Sequence, residues 1–341
     1  MKYKLWLLVI IALAGCAVMS CDDTIDNKDD KRNLCADCGK DPCECEILVY
    51  CDETGLAFRL INDDTEYSVS AGISTDTEII IPSVFNDIPV TKIHERGFRY
   101  FTNITSVTIP GSVTIIGNEA FYGCVGLMSV VIPGSVTSIG RSAFNGCSGL
   151  MSVTISAGVT SIGESAFYGC SGITNIMIPG SVTSIGRNAF YNCGNLESVV
   201  IPGSVISIGD YAFSGCTGLV NVTISDGVTT IGRGAFNGCS SLMSVTIPGS
   251  LTAISYRMFY RCSSLTSVTI NDGVTRINEE AFSNCGELTL TVLGITPPTL
   301  DHVAFSGADI KRIEVPENSL TAYKAAANWN AYMDKIFAIV P

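Results

Sequence analysis

Charge is scarce in this chain. Only 15% of its 341 residues are Asp, Glu, Lys or Arg, against about 25% in an average globular protein. Serine, threonine and glycine must therefore supply much of the polar surface. Positive charge is the scarcer sign: 20 Lys and Arg against 32 Asp and Glu leave a formal net charge of −12. A surface of that sign repels phosphates, which argues against a nucleic-acid partner. Histidine is almost missing. The two present, His94 and His302, stand far apart, which counts against a histidine-ligated metal centre or a histidine-based catalyst. Apolar residues make up 47%, enough for a sizeable core. Beyond the N-terminus, however, no apolar run approaches the ~20 residues that cross a bilayer.

The N-terminus is the exception. Lys2 and Lys4 precede a short apolar run over residues 5–13, the pattern of a secretory signal, here 1–15. The run ends Leu13-Ala14-Gly15-Cys16. This resembles the lipobox of bacterial lipoproteins, which implies acylation of Cys16 and a lipid anchor in the membrane. Cys21, after Val18-Met19-Ser20, is the alternative site. Residues 16–46 then read as a lipidated linker rich in acid and cysteine. Asp22, Asp23, Asp26, Asp29 and Asp30 make its start too polar to fold. These acids resemble the surface-export signals of some bacterial lipoproteins. Cys35, Cys38, Cys43 and Cys45 follow within eleven residues. Such thiolates can converge on zinc, whereas the oxidising compartment favours disulfides. Disulfides or plain thiols are the first reading and no cofactor is expected; zinc at this cluster is the alternative.

The rest of the chain is periodic. Cys124, Cys147, Cys170, Cys193, Cys216, Cys239, Cys262 and Cys285 recur every 23 residues, each three residues after a phenylalanine (Phe121 through Phe282). A period in the 20–29 range with L-x-x-L-x-L spacing reads as leucine-rich repeats. In one copy, Leu150, Val153 and Ile155 face inward while Ser152 and Thr154 alternate outward, as a strand requires. Pro-Gly or Asp-Gly pairs such as Pro133-Gly134 mark the next turn. Val159-Thr-Ser-Ile162 gives a second short extended segment. Ala166-Phe167-x-x-Cys170 is expected to make about one helical turn, with the phenylalanine and cysteine in the core. One such coil cannot bury its apolar face alone, so stability must come from stacking neighbours. The stacked cysteines are expected to be buried thiols acting as small hydrophobes. The fold class is therefore a mostly β repeat solenoid with short helical turns. Its parts are an N-terminal cap hairpin (47–78), the repeat array (79–316) and a C-terminal cap (317–341), in which Ser319 is expected to cap a helix running through Trp329 and Tyr332.

Three surface columns are candidates for function. The outward strand positions, among them Asn175, Met177 and Asn221, form a flat uncharged face of the kind on which solenoids bind partners; serine and threonine columns also simply suit a wet sheet. Tyr122, Tyr168, Tyr191 and Tyr260 follow the core phenylalanines, and exposed tyrosines are enriched at interfaces. Asn118, Arg141, Glu164, Arg187, Asp210 and Arg233 alternate in sign from coil to coil. That pattern is expected to be a structural ladder of ion pairs, each worth little.

The run Ile132-Pro-Gly-Ser-Val-Thr-Ser-Ile-Gly140, followed by Ala143-Phe144, resembles the BspA-like leucine-rich repeats over roughly 79–316. Val315-Pro316, Tyr323-Lys324 and Trp329 resemble that family's terminal cap. The resemblance implies surface display and adhesion to host matrix proteins or other bacteria, and it carries over no catalytic residue. The expected function is a surface-anchored, adhesin-like binding protein of the outer membrane that takes proteins or glycans at a host or bacterial surface. A structural envelope spacer without a ligand is the alternative. No nucleophile–base pair, phosphate loop or paired carboxylates stand out from the repeat, so an enzyme is not expected.

Overall fold

The structure, a computed structural model, describes residues 49–339. The signal segment 1–15, the linker 16–46 and with them Cys16, Cys21, Cys35, Cys38, Cys43 and Cys45 lie outside the described residues.

One coil shows how the sequence builds the rest. Leu150 is buried, and the strand Ser152–Ile155 alternates exposed and buried positions, the period of two that an extended chain imposes. Gly158 then reverses the chain at φ +121°, where an added Cβ would lie 2.0 Å from the Gly134 carbonyl oxygen of the coil before. Only glycine fits so close an approach at that φ. A second strand, Ser161–Ile162, buries Ile162. The corner that follows buries Ala166, Phe167 and Cys170 completely.

That corner differs from the helical turn expected of it. Ser165 and Gly169 take left-handed backbone angles, φ +54° and +67°, so the segment is a series of reverse turns. The reason lies in where its amides go. Ala166, Tyr168 and Cys170 donate within the coil, to Gly163, Ser165 and Phe167. Ser165, Phe167 and Gly169 donate outward, to the carbonyls of Arg187, Ala189 and Tyr191 at 2.7–2.8 Å. A helix would keep nearly every N–H for itself; the tandem turns use every second one to bind the next coil.

Coils stack in parallel with a 23-residue register, so that Ser152 pairs with Ser129 on one side and Asn175 on the other. The first strands form a 12-stranded sheet running from Glu78–Ile80 to Ile336–Ala338. The second strands make an 11-stranded sheet with the N-terminal strands, then a 3-stranded continuation from Ala253–Ile254 to Thr299–Leu300. Between the sheets and the corners lies one continuous dry core. From Phe98 to Phe305 the rings stack offset, with centroids 5.1–5.7 Å apart and planes within 20°, a favoured aromatic geometry.

Beside them runs the cysteine column. All eight thiols are free and buried, and each Sγ donates to the carbonyl of the preceding coil's phenylalanine at 3.0–3.2 Å. Burial pushes the thiols of Cys193, Cys216, Cys239 and Cys262 well above their usual range, and that of Cys285 up to about 12. Thiols so held are poor nucleophiles and poor metal ligands.

Both ends of the array are closed. At the start, Val49–Cys51, Ala57–Ile61 and Glu66–Ser70 pair antiparallel, and the last of them pairs parallel with Ile88–Ile93. Phe101 takes the place of a cysteine there and packs tilted on Phe98. Toward the far end the register slips once, between Leu288 and Thr289, because Leu288-Thr-Leu290 is one residue shorter than the Ile310-Lys-Arg-Ile313 it pairs with. The cap helix is also shorter than expected. It spans Leu320–Ala325, and the Ser319 hydroxyl donates to the Pro316 carbonyl instead of capping it. Asn328 turns left-handed at φ +66°, and a 3-10 segment, Trp329–Lys335, completes the cap. Trp329 is fully buried, and its Nε1 donates to the Pro298 carbonyl at 2.7 Å.

Candidate functional site

The outer face of the 12-stranded sheet carries almost no charge and an unusual amount of exposed apolar surface. Register places Val131, Thr154, Met177 and Val200 side by side across four strands. Met177 is 81% exposed, and Val131 and Val200 are 57% exposed each. In a second column Met151 lies next to Met128, bonded to it through the backbone at 2.9 Å, with Met243 further along; all three are about half exposed or more. Ile80 continues the apolar face at the N-terminal edge.

Asn175 and Asn221 line the polar column between these two. Ser198 Oγ donates to Asn175 Oδ1 at 3.2 Å. Asn221 borders an open depression of about 550 Å³ together with Thr174, Asn195, Glu197, Ser198 and Val220. A second depression of about 420 Å³, lined in part by Thr223, Asp226, Ser244, Thr246 and Asn271, shares Asn221 with it. Both depressions are lined mainly by polar side chains, with Val220 the one large apolar side chain of the first.

The tyrosines sit elsewhere, on the corner edge, and the structure does not bring them together with Asn175, Met177 and Asn221. Tyr168 stacks on Tyr191 at 4.8 Å. Tyr122 meets Tyr100 edge-on at 5.4 Å, with the Arg99 guanidinium over both rings. Tyr260 lies between Arg257 and Arg261, at 4.9 and 5.2 Å. Each ring is partly covered by neighbouring coils.

The alternating column is not an ion-pair ladder. Among the described residues, Glu164 and Asp210 pair with no cation, and no carboxylate pairs with Arg187 or Arg233. Instead Asn118 Oδ1 accepts the Arg141 backbone N–H at 2.9 Å, and Asp210 Oδ1 accepts that of Arg233 at 2.8 Å. The short Asn and Asp side chains reach one coil along to an amide. Arg233 lies across the rings of Tyr211 and Tyr256. The carboxylate that does gather arginines is Glu119, one position further along the corner.

Two sets of residues escaped the sequence reading. Met128, Met151 and Met243 carry a visible signal, since each directly follows a buried leucine at the first of the two outward positions of L-x-x-V, just before its strand. Arg96, Arg99 and Tyr100 belong to the divergent first unit, where the period gives no column. Among the described residues no group of three or more His, Cys, Asp or Glu is placed to hold a metal ion, and no helix is long and apolar enough to cross a membrane.

No curated protein matches the chain. Among solved structures, the chain is similar to a leucine-rich repeat protein of T. pallidum (23% identity, 71% of this chain and 85% of that one, TM-score 0.41). It is also similar to a leucine-rich cell surface protein of Faecalibacterium prausnitzii (26%, 81% and 97%, TM-score 0.35) and to a leucine-rich repeat protein of Bacteroides ovatus (21%, 84% and 98%, TM-score 0.40). The family model for the BspA type leucine-rich repeat region matches residues 91–220 and 206–332. With most of the chain matched and eight successive coils built on the same buried phenylalanine and cysteine, the chain belongs to the BspA-type leucine-rich repeat family.

Proposed function

We propose that this protein is displayed on a bacterial surface and binds a partner protein, on a host or on another cell, across the exposed face of its 12-stranded sheet. The observation that carries this reading is the apolar stripe on that face. Solvated sheet surfaces have no need of Met177 at 81% exposure or of Met128, Met151, Val131 and Val200 around it. Contiguous exposed apolar surface marks interaction sites, and unbranched methionine adapts its shape to a partner. Membership in a repeat family built for protein interaction supports the same role. The anchor is the acyl chain on Cys16, with Cys21 as the alternative, in the outer membrane.

The test compares intact cells and purified protein on immobilised matrix proteins and on other bacteria. Replacing Met151, Met177 and Val200 together by glutamate leaves the core untouched and abolishes binding. If that variant, folded, binds as well as the parent, the sheet face is not the site; if the parent binds nothing, the protein is a spacer. For the anchor, Cys16→Ser releases the protein from the membrane fraction, whereas release by Cys21→Ser moves the acyl chain to Cys21.

A further inference from the structure

Three guanidinium groups converge on one carboxylate at the N-terminal end of the corner edge. Arg96 Nε lies 3.1 Å and Arg99 Nε 3.4 Å from Glu119 Oε2, and Arg141 Nη2 lies 3.9 Å from Glu119 Oε1. The Glu119 side chain is 13% exposed, while those of Arg96 and Arg141 are 54% and 59% exposed. One carboxylate offers about four lone-pair positions, and three guanidiniums bring about fifteen N–H donors. Most of those donors are therefore left to water. Glu95 and Glu164 flank the cluster on this edge, and among the described residues neither pairs with these arginines.

Two tyrosines complete the cluster. The Arg99 guanidinium lies 4.8 Å from the Tyr100 ring and 5.1 Å from that of Tyr122. Tyr100 occupies a corner position that the next coils give to Gly123, Gly146 and Gly169, and it does so at φ +60°. Asn192, Arg261 and Asn284 hold the same position left-handed in later coils, so the backbone angle belongs to the coil and the side chain is what is particular here. The ring fits because its neighbour is glycine: a Cβ on Gly123 would lie 2.6 Å from it. Even so, Tyr100 stays 58% exposed.

We propose that this cluster binds an acidic sugar, with the carboxylate of a uronate or a sulfate ester held by Arg96 and Arg141 and the pyranose ring set against Tyr100. Planar guanidinium forks match such oxyanions bidentately. The exposed part of the Tyr100 ring beside them suits the C–H surface of a sugar. The site lies on the corner edge, away from the sheet face, and does not depend on what that face binds.

Titration calorimetry of the full-length protein tests it with three probes: a uronate oligosaccharide, an O-sulfated neutral oligosaccharide, and the same neutral oligosaccharide unmodified. At least one acidic probe binds and the unmodified one does not; which acidic probe binds identifies the oxyanion. Arg96→Gln with Arg141→Gln weakens binding by roughly tenfold or more per arginine, the scale of a charged hydrogen bond. Arg99 still holds Glu119 in that variant, and an unchanged melting temperature shows that the fold is kept. Glu119→Gln removes the competing carboxylate and tightens binding severalfold, which a merely structural ion cluster would not do. Arg187→Gln, an exposed arginine of the same edge without ring or carboxylate partner, changes nothing. The proposal is overturned if neither acidic probe binds, if Arg187→Gln weakens binding as much as the double variant, if Glu119→Gln weakens it, or if an acidic peptide of equal charge binds as tightly.

Discussion

Raising the pH should unfold this protein steeply, and the thiol column sets how steeply. Eight cysteines are free and buried. Burial holds Cys170 raised, Cys193, Cys216, Cys239 and Cys262 far up, and Cys285 near 12. At Cys124 the hydrogen bond with the Cys147 thiol raises it, with burial second, and Cys147 is itself raised. In the unfolded chain a thiol ionises near 8.5 (about the free value). A raised folded pKa means that the unfolded chain sheds its thiol protons first. The stabilisation is therefore whole below about pH 8.5 and is lost as pH climbs from there toward the folded values. Across that window each thiol costs roughly 1.4 kcal/mol per pH unit, so eight together cost roughly 11 kcal/mol per unit. A domain of typical stability, about 5–15 kcal/mol, gives way within about one to two units. The assay is urea unfolding followed by far-ultraviolet circular dichroism at stepped pH, under argon to keep released thiols reduced. Replacing Cys147, Cys170, Cys193 and Cys216 by alanine should halve the slope, whatever it does to stability at neutral pH. Buried Tyr323 adds to the loss only above about pH 10. A slope no steeper than one thiol's worth would refute the reasoning.

Three further outcomes follow from the packing. Phe190 lies between Phe167 and Phe213 at 5.3 and 5.1 Å, in coils whose spacing the ladders fix, so Phe190→Ala should cost about 3–5 kcal/mol in urea unfolding. Gly158→Ala meets the Gly134 carbonyl at 2.0 Å in a backbone conformation alanine avoids, and should lower stability by more than about 1 kcal/mol. Arg187→Gln, with no ion pair to lose, should change stability by less than about 0.5 kcal/mol; a loss well above that would restore the ion-pair ladder.

The coil and its core were readable because the period never slips between Cys124 and Cys285, and because period-two alternation assigns each strand residue to a face. Met177, Asn175 and Asn221 are on the outer face for that reason. The corner was misjudged because Ala-Phe-x-x-Cys has the spacing of a helical turn, while the destination of every second amide is another coil that no local pattern reveals. The charge column was misjudged for a related reason. A shared period makes Arg187 and Asp210 neighbours, but side-chain reach decides what they bond, and Asp210 finds an amide first. The helix is shorter than the sequence implies because the backbone turns extended at Ala326, a residue that carries no helix-stop signal. The arginines around Glu119 went unseen because two of them, Arg96 and Arg99, belong to the divergent first unit, where Phe101 stands at the cysteine position and the period gives no column.

The closure of both ends bears on how such a molecule can change size. The hairpin at Ala57–Ser70 extends one main sheet at its N-terminal end and the strand Ile336–Ala338 extends the other at its far end, so each end of the array is built onto a cap. Growth or shrinkage must therefore happen in the interior, by whole coils, since a partial coil would turn the next phenylalanine and thiol out of line. The single short step at Leu288 marks where that freedom stops: past it the spacing is matched to the cap, and a coil gained or lost there would leave Trp329 without its seat.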